Sequence, residues 1–286
     1  MGSEPMAEVF SQVAAPAADL DTEGAFLGSW RLMSLDGMEW DVPDTDPNRA
    51  AFGSRAGSEG EAAFPKIRVV TVSECASHAA VLAAMGPAAG GKGSGEQFLA
   101  RDLYPRLEED WLLIADRNFY CWKDWCAAAD TGAALLWRVK SDILLPVLEL
   151  LPDGSYRSVL VNPKVTGKKR EALLAAARRG EDLDEDQARD VRVVEYEVPD
   201  RDGDGTGELI ALVTTITDPR LAPAAVLAQA YHQRWEHEAT IGPTAPIAAS
   251  PLNISRRIDF PMAQNVTTAD PRYSSGECSM WAHDNQ

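Results

Sequence analysis

Positive charge is what this 286-residue sequence has least of: 27 lysines and arginines face 44 acidic residues, for a formal net charge of −17. A polyanion is normally held by a surplus of basic side chains that displaces its counterions. The composition therefore argues against broad nucleic-acid binding and requires any such contact to be local. Long apolar runs are missing too. No segment has the roughly 18 uninterrupted apolar residues of a membrane span, and the start Met1-Gly-Ser-Glu-Pro5 lacks the basic and apolar regions of a secretory signal. No membrane partner is expected, and a cytoplasmic location follows by default. The 4 cysteines, Cys75, Cys121, Cys126 and Cys278, form no C-x-x-C pair, so neither a zinc ribbon nor a disulfide scaffold is indicated. Internal repeats and heptads are also lacking. What is present, 45% hydrophobic residues with 8 tryptophans, is enough to build the core of a globular protein.

Along the chain, residues 1–24 are rich in Ala, Ser, Pro and acids without an apolar period and read as a flexible arm. Residues 30–35 read as a strand stopping at Asp36-Gly37, with 38–42 returning as its hairpin partner and 66–73 as a third strand. Residues 77–85 are Ala-rich and read as a helix, 86–95 as a glycine loop, and 96–107 as a second helix. The fully apolar run 111–115 is a strand ending at Asp116. Short β-like segments then follow at 134–139, 143–149, 156–161, 191–198 and 209–217, interrupted by a helical stretch at 168–179. Pro223 opens a long helix over 224–240 that Gly242-Pro243 ends. The tail 241–286 has no lysine and many Pro, Ser, Thr and Asn residues, and little packed structure is expected there. The fold class expected is α/β, a mixed sheet with flanking helices.

Tyr231, Arg234 and Glu238 fall at i, i+3 and i+7 on the long helix, so an aromatic hydroxyl, a cation and a carboxylate share one stripe. Read alone, the stripe is also an amphipathic surface helix with an internal ion pair. Asp36 and Asp116 each stand where an apolar strand ends, the place where α/β sheets present side chains to a ligand. Taken singly, each reads more readily as a turn residue. Converging with Glu238, they would form a cluster that needs hard cations. Two Mg²⁺ or Mn²⁺ ions about 4 Å apart would then activate water and stabilise the leaving oxygen of a phosphodiester. Lys164, Lys168, Lys169, Arg170, Arg178 and Arg179 concentrate basic charge immediately before an acidic run, Glu181 to Asp186. That segment is either a solvated helix of mixed charge or a phosphate-contacting patch.

Leu35-Asp36-Gly37, with Val42-Pro43-Asp44-Thr45 behind it, resembles the first-aspartate region of bacterial insertion-sequence transposases of the DDE class. Leu112-Leu-Ile-Ala-Asp116-Arg-Asn-Phe-Tyr120 resembles the second-aspartate region. Residues 212–218 followed by Tyr231-x2-Arg234-x3-Glu238 are similar to the third block of the subgroup, of the insertion sequence family four type, known for a Tyr, Arg, Glu and Lys signature. Three blocks in the right order are far more specific than any one of them. The resemblance implies an RNase H-like core over residues 25–240, with a β-rich insertion within 117–217 before the catalytic helix. It also implies a two-metal site of Mg²⁺ or Mn²⁺ on Asp36, Asp116 and Glu238 that cuts and joins DNA at transposon ends. Tyr231 and Arg234 would contact phosphates near the cleaved end, Lys168, Lys169 and Arg170 would add DNA contacts, and a homodimer in a synaptic complex is allowed.

The signature lysine position, seven residues after Glu238, is Ala245 here, and only 35 residues precede Asp36. A chain truncated at both ends is therefore expected, and a catalytically defective remnant without enzymatic activity stands as the alternative. Three other motifs fail on their own chemistry. Asp200-Arg-Asp-Gly-Asp-Gly205 opens like an EF-hand loop, but the twelfth position is Ala211. Gly86-x4-Gly91-Lys92 approaches a P-loop but continues with Gly93, and His237-Glu238 approaches a zincin motif but meets Ile241. His232 and His237 read as helix-surface residues.

Overall fold

The computed structural model describes residues 3–53, 56–57, 60–61, 64–89, 95–198 and 207–241, with the backbone alone for 3, 4, 6, 56–57, 60–61 and 235–241. The elements in chain order are α1 (Ser3–Val13), β1 (Phe26–Leu27), β2 (Trp30–Asp41), α2 (Asp46–Phe52), β3 (Ala56–Gly57), β4 (Gly60–Glu61), β5 (Lys66–Glu74), β6 (Ala80–Pro87) and α3 (Glu96–Ala100). A 3₁₀ turn (Tyr104–Arg106) then leads into β7 (Trp111–Ala115), α4 (Trp122–Ala129) and β8 (Ala134–Val139). The chain continues with β9 (Glu149–Leu150), β10 (Tyr156–Val161), α5 (Gly167–Arg178), β11 (Ala188–Val198), β12 (Glu208–Thr214) and α6 (Ala224–Ile241). No helix among the described residues is long and apolar enough to cross a membrane.

One 10-stranded mixed sheet, in the order β6-β5-β2-β7-β8-β12-β11-β10-β9 with β1 paired to β2, carries the molecule. β2 runs antiparallel to β5 and parallel to β7, and β7 runs parallel to β8. Parallel neighbours need a crossover, which α4 provides between β7 and β8. β7 and β8 are buried along their whole length, as continuous apolar runs at the centre of a two-faced sheet should be. From β8 onward every pairing is antiparallel, so the strands after β8 extend this same sheet.

Side-chain alternation divides the core in two. Met33, Leu35, Leu113, Ala115, Leu135 and Trp137 pack on one face against Leu99, Leu103 and Trp125 from α3, its following turn and α4. Leu32, Leu112, Ile114, Leu136 and Leu212 pack on the other against Leu227, Ala228 and Tyr231 of α6. A small satellite of Val159, Ala177 and Ala188 lies under α5. The start of α6 is tied to the β9–β10 turn by Asp153. Its Oδ2 accepts from the Ala224 N–H at 2.8 Å and from Arg192 Nη2 at 2.5 Å. The fully buried Arg192 also donates to the Ala222 carbonyl at 2.7 Å and to Ser155 Oγ at 2.8 Å.

Several local expectations change. Asp36-Gly37 is not a turn: β2 runs straight through it, with Asp36 opposite Thr71 and Gly37 opposite Val70. The glycine serves a close approach of α3 rather than a reversal, as developed below. Of the residues expected to be helical over 77–85, those from Ala80 onward form β6 instead, because pairing with β5 overrides the helix preference of alanine. The helix expected over 96–107 stops at Ala100, and Pro105, which lacks an N–H, leaves only a 3₁₀ turn. The segment expected as a strand over 143–149 is paired only at Glu149, and α4 was not foreseen. The expected flexible arm contains α1, and the Ala17 and Ala18 N–H groups donate to the buried carboxylate of Glu74 at 3.2 and 2.8 Å. The calcium-loop motif over 200–205, the phosphate-loop residues 91–93 and the tail beyond 241 lie outside the described residues.

Candidate active site

The parallel register of β2 and β7 builds the site. Leu35 pairs with Ala115, the last residue of β7, so Asp36 of β2 and Asp116, the residue that follows β7, come from the same end of two adjacent strands. Leu35 and Ala115 point to the α3–α4 face, so the aspartates project to the opposite one, where α6 packs. From α6, the buried Tyr231 donates its hydroxyl to Asp116 Oδ1 at 3.3 Å. One turn on, Arg234 Nη1 lies 3.8 Å from Asp36 Oδ1, and its guanidinium sits 5.8 Å from the centre of the Tyr231 ring. The structure therefore brings together four of the residues singled out from sequence, Asp36, Asp116, Tyr231 and Arg234. Glu238 lies on the backbone of the same helix, and its side chain is outside the described residues.

Electrostatics within the site follow from burial and like charge. Desolvation raises the Asp36 pKa above the ordinary aspartate value and nearby Asp116 adds to it, while Arg234 and the Gly37 N–H, which donates to Asp36 at 2.9 Å, pull it back. Burial pushes the Tyr231 phenol up to about 12, against the opposing pull of Arg234. Tyr231 therefore acts as a donor that stays protonated throughout the physiological range.

One further acid belongs to this neighbourhood and was missed from sequence. Glu96, the first residue of α3, lies against Gly37, where an added Cβ would stand 2.7 Å from both its Cγ and its Cδ. Burial raises the Glu96 pKa, Arg68 lowers it, and Asp36, Glu39 and Asp116 raise it further. Gly37 is thus a cradle that only a residue without a side chain leaves open. In the sequence, the sole hint was a glycine beside a candidate acid inside a strand-like run.

Two expectations separate from the site. Lys168, Lys169 and Arg170 lie on α5, which packs on β10. β10 is four strands from β7, or about 19 Å at the usual strand spacing, so this basic patch does not line the acids. His232 is half-buried rather than fully exposed: its ring packs edge-on against Tyr196 at 5.5 Å and Tyr231 at 6.3 Å. The His237 side chain is outside the described residues.

Among the described residues, no three His, Cys, Asp or Glu side chains form a group that could hold a metal ion. The described part of the site supplies two hard oxygen donors, Asp36 and Asp116. Two neighbouring carboxylates, one of them with its pKa raised chiefly by burial and further by the other, are hard oxygen donors of the kind that suits Mg²⁺ or Mn²⁺.

No family model matches the chain. The chain is 23% identical over 246 residues to the transposase InsG of insertion sequence element IS4 from Escherichia coli (strain K12), an alignment covering 83% of this chain and 49% of that protein. The chain thus spans about half the length of the curated relative it matches. Among solved structures it is similar to endonuclease V from Bacillus subtilis, with 12% identity over 68% of this chain and 70% of that one. The TM-score of 0.28 makes that likeness too slight to bear on the fold. Over most of its length, the chain is similar in sequence to an insertion-sequence transposase.

Proposed function

We propose that this chain is the catalytic region of a DNA transposase, acting on phosphodiesters at transposon ends by metal-dependent cleavage and strand transfer. The observation that carries the reading is the placement of Asp36 and Asp116 at the same end of two adjacent strands, met from α6 by Tyr231 and Arg234. The similarity to an insertion-sequence transposase over 83% of the chain supports it independently. In this reading β6-β5-β2-β7-β8 with α3, α4 and α6 form an RNase H-like core of the DDE class, and β9–β12 with α5 are its β-rich insertion. DNA is the substrate, in keeping with the cytoplasmic location expected from the sequence, and a homodimer would bring two ends together.

Asp36, Asp116 and Glu238 would hold two Mg²⁺ or Mn²⁺ ions, which when bound supply an activated water and stabilisation of the leaving oxygen. The chain's own groups do the rest. The Tyr231 hydroxyl fixes the Asp116 carboxylate through its Oδ1. Arg234, 4% exposed, presents a fork whose geometry suits phosphate oxygens and whose charge offsets that of Asp36. Packing of α6 excludes water from the back of the site and strengthens both interactions.

The test is nicking of supercoiled plasmid with Mn²⁺. Activity that disappears in Asp116→Ala, with the fold intact by circular dichroism, is the expected result. A folded wild-type chain that never nicks would overturn catalysis and leave the defective remnant.

A further inference from the structure

Beside the acids, a groove of about 470 Å³ opens between the ends of β8 and β12 and the 140–145 segment, a region to which no role has yet been given. Its polar lining includes Arg117, Arg138 and Lys140 opposed by Glu195 and Glu208. A local excess of cations is notable in a chain of net charge −17. Arg117 follows Asp116 directly in the chain, so the groove begins at the site itself.

Glu208 organises the two arginines. Its Oε1 pairs with Arg138, whose side chain is 8% exposed, and lies 3.5 Å from Nη1 of Arg117, whose side chain is 48% exposed. One carboxylate bridging two guanidinium groups occupies the place that a doubly contacted phosphate would take. Arg138 also feels the charge of Asp116, so the groove and the acids share one electrostatic field. Leu144 and Leu209 line the same groove and are exposed at 58% and 47%, giving a surface against which a base can lie. The volume falls in the range of small-molecule sites and is too small for a duplex. Cations along a groove are the part of single-strand binding that tracks the phosphate backbone.

We propose that this groove holds a single-stranded segment of DNA adjoining the phosphodiester presented to Asp36 and Asp116, with Arg117 and Arg138 on its phosphates and Glu208 as the internal anion that the phosphate displaces. The proposal rests on the transposase reading above and deepens it by naming the strand's path away from the acids.

The experiment is fluorescence anisotropy of the full chain with a labelled oligothymidine single strand and with a blunt duplex, in EDTA and across a salt series. Arg117→Ala should weaken single-strand binding about fivefold and lower the slope of log K against log salt by about 1. Glu208→Gln should tighten binding about threefold. Glu149→Gln, which removes the same charge from a carboxylate 58% exposed and paired to Arg157 elsewhere, should leave binding unchanged. Absence of binding by the wild-type chain, indifference to Arg117→Ala, equal gains in Glu208→Gln and Glu149→Gln, or tighter binding of the duplex would each overturn the proposal. Failure of the two readings is distinguishable. Binding that depends on Arg117 in a chain that never nicks leaves the groove standing and removes catalysis, whereas nicking with a silent Arg117→Ala removes the groove alone.

Discussion

Asp153→Ala is the perturbation whose cost the geometry fixes best. Asp153 lies far from the acids in sequence, yet its carboxylate joins the β9–β10 turn to the buried Arg192 and to the first N–H of α6. Removing one partner of a buried pair costs about 3–5 kcal/mol, because the remaining charge stays buried without compensation. The lower end applies here, since the Asp153 side chain is 20% exposed and Arg192 keeps Ser155 and Ala222. Loss of a hydrogen bond to a helix-start N–H adds about 1 kcal/mol. A total of about 4 kcal/mol corresponds to a fall in Tm of about 10 °C for a chain of this size. Urea unfolding followed by tryptophan fluorescence would read it, since Trp111, Trp125 and Trp137 are all buried. Burial by itself would raise the Asp153 pKa, but Ser155, the Ala224 N–H and Arg192 together hold it below the ordinary aspartate value. Its stabilisation is therefore complete above the ordinary value and is lost as pH falls through the depressed folded one, so the gap between wild type and Asp153→Ala should close in acid. A cost below about 1 kcal/mol at pH 7 would refute the account of how α6 is held.

Two further outcomes follow from the site. Gly37→Ala should force Glu96 out of its cradle at a cost of about 1–3 kcal/mol, most of which Glu96→Ala in the same chain should restore, because the contact is with a flexible side chain; a double variant no more stable than Gly37→Ala would contradict this. Asp36→Asn should stabilise the metal-free protein at neutral pH, as sites tuned for function commonly sacrifice stability. Since burial raises the folded Asp36 pKa, the destabilisation is fully present above that pKa and is relieved as pH falls toward the ordinary carboxylate value. Thermal unfolding of both proteins from pH 7 to pH 3 should show the difference shrinking, and a difference that grows in acid would reverse the sign of the argument.

Much of the sheet was legible because its central strands are short apolar runs. Residues 111–115 and 134–139 are buried on both faces and admit no helical period. The α6 stripe was legible for the complementary reason: Tyr231 and Arg234 recur at helical spacing and do face the acids. The misreadings share one cause, that composition speaks for local preference while pairing partners are distant. Alanines at 79, 80, 83 and 84 favour a helix, yet β5 supplies β6 with a ladder. Asp36-Gly37 has turn chemistry, yet the glycine is needed for Glu96, 59 residues away in the chain. Neither the register that sets Asp36 beside Asp116 nor the tie between Asp153 and Arg192 leaves any periodic trace in the sequence.

In the proposed function Asp36 and Asp116 act together on a divalent cation, and Mn²⁺ binding read by electron paramagnetic resonance tests this without relying on turnover. The wild-type chain should remove free Mn²⁺ signal saturably, Asp36→Asn and Asp116→Asn should each weaken binding by more than about tenfold, and the double variant should bind none at the site. Equal Mn²⁺ affinity in the wild-type chain and the double variant would contradict it.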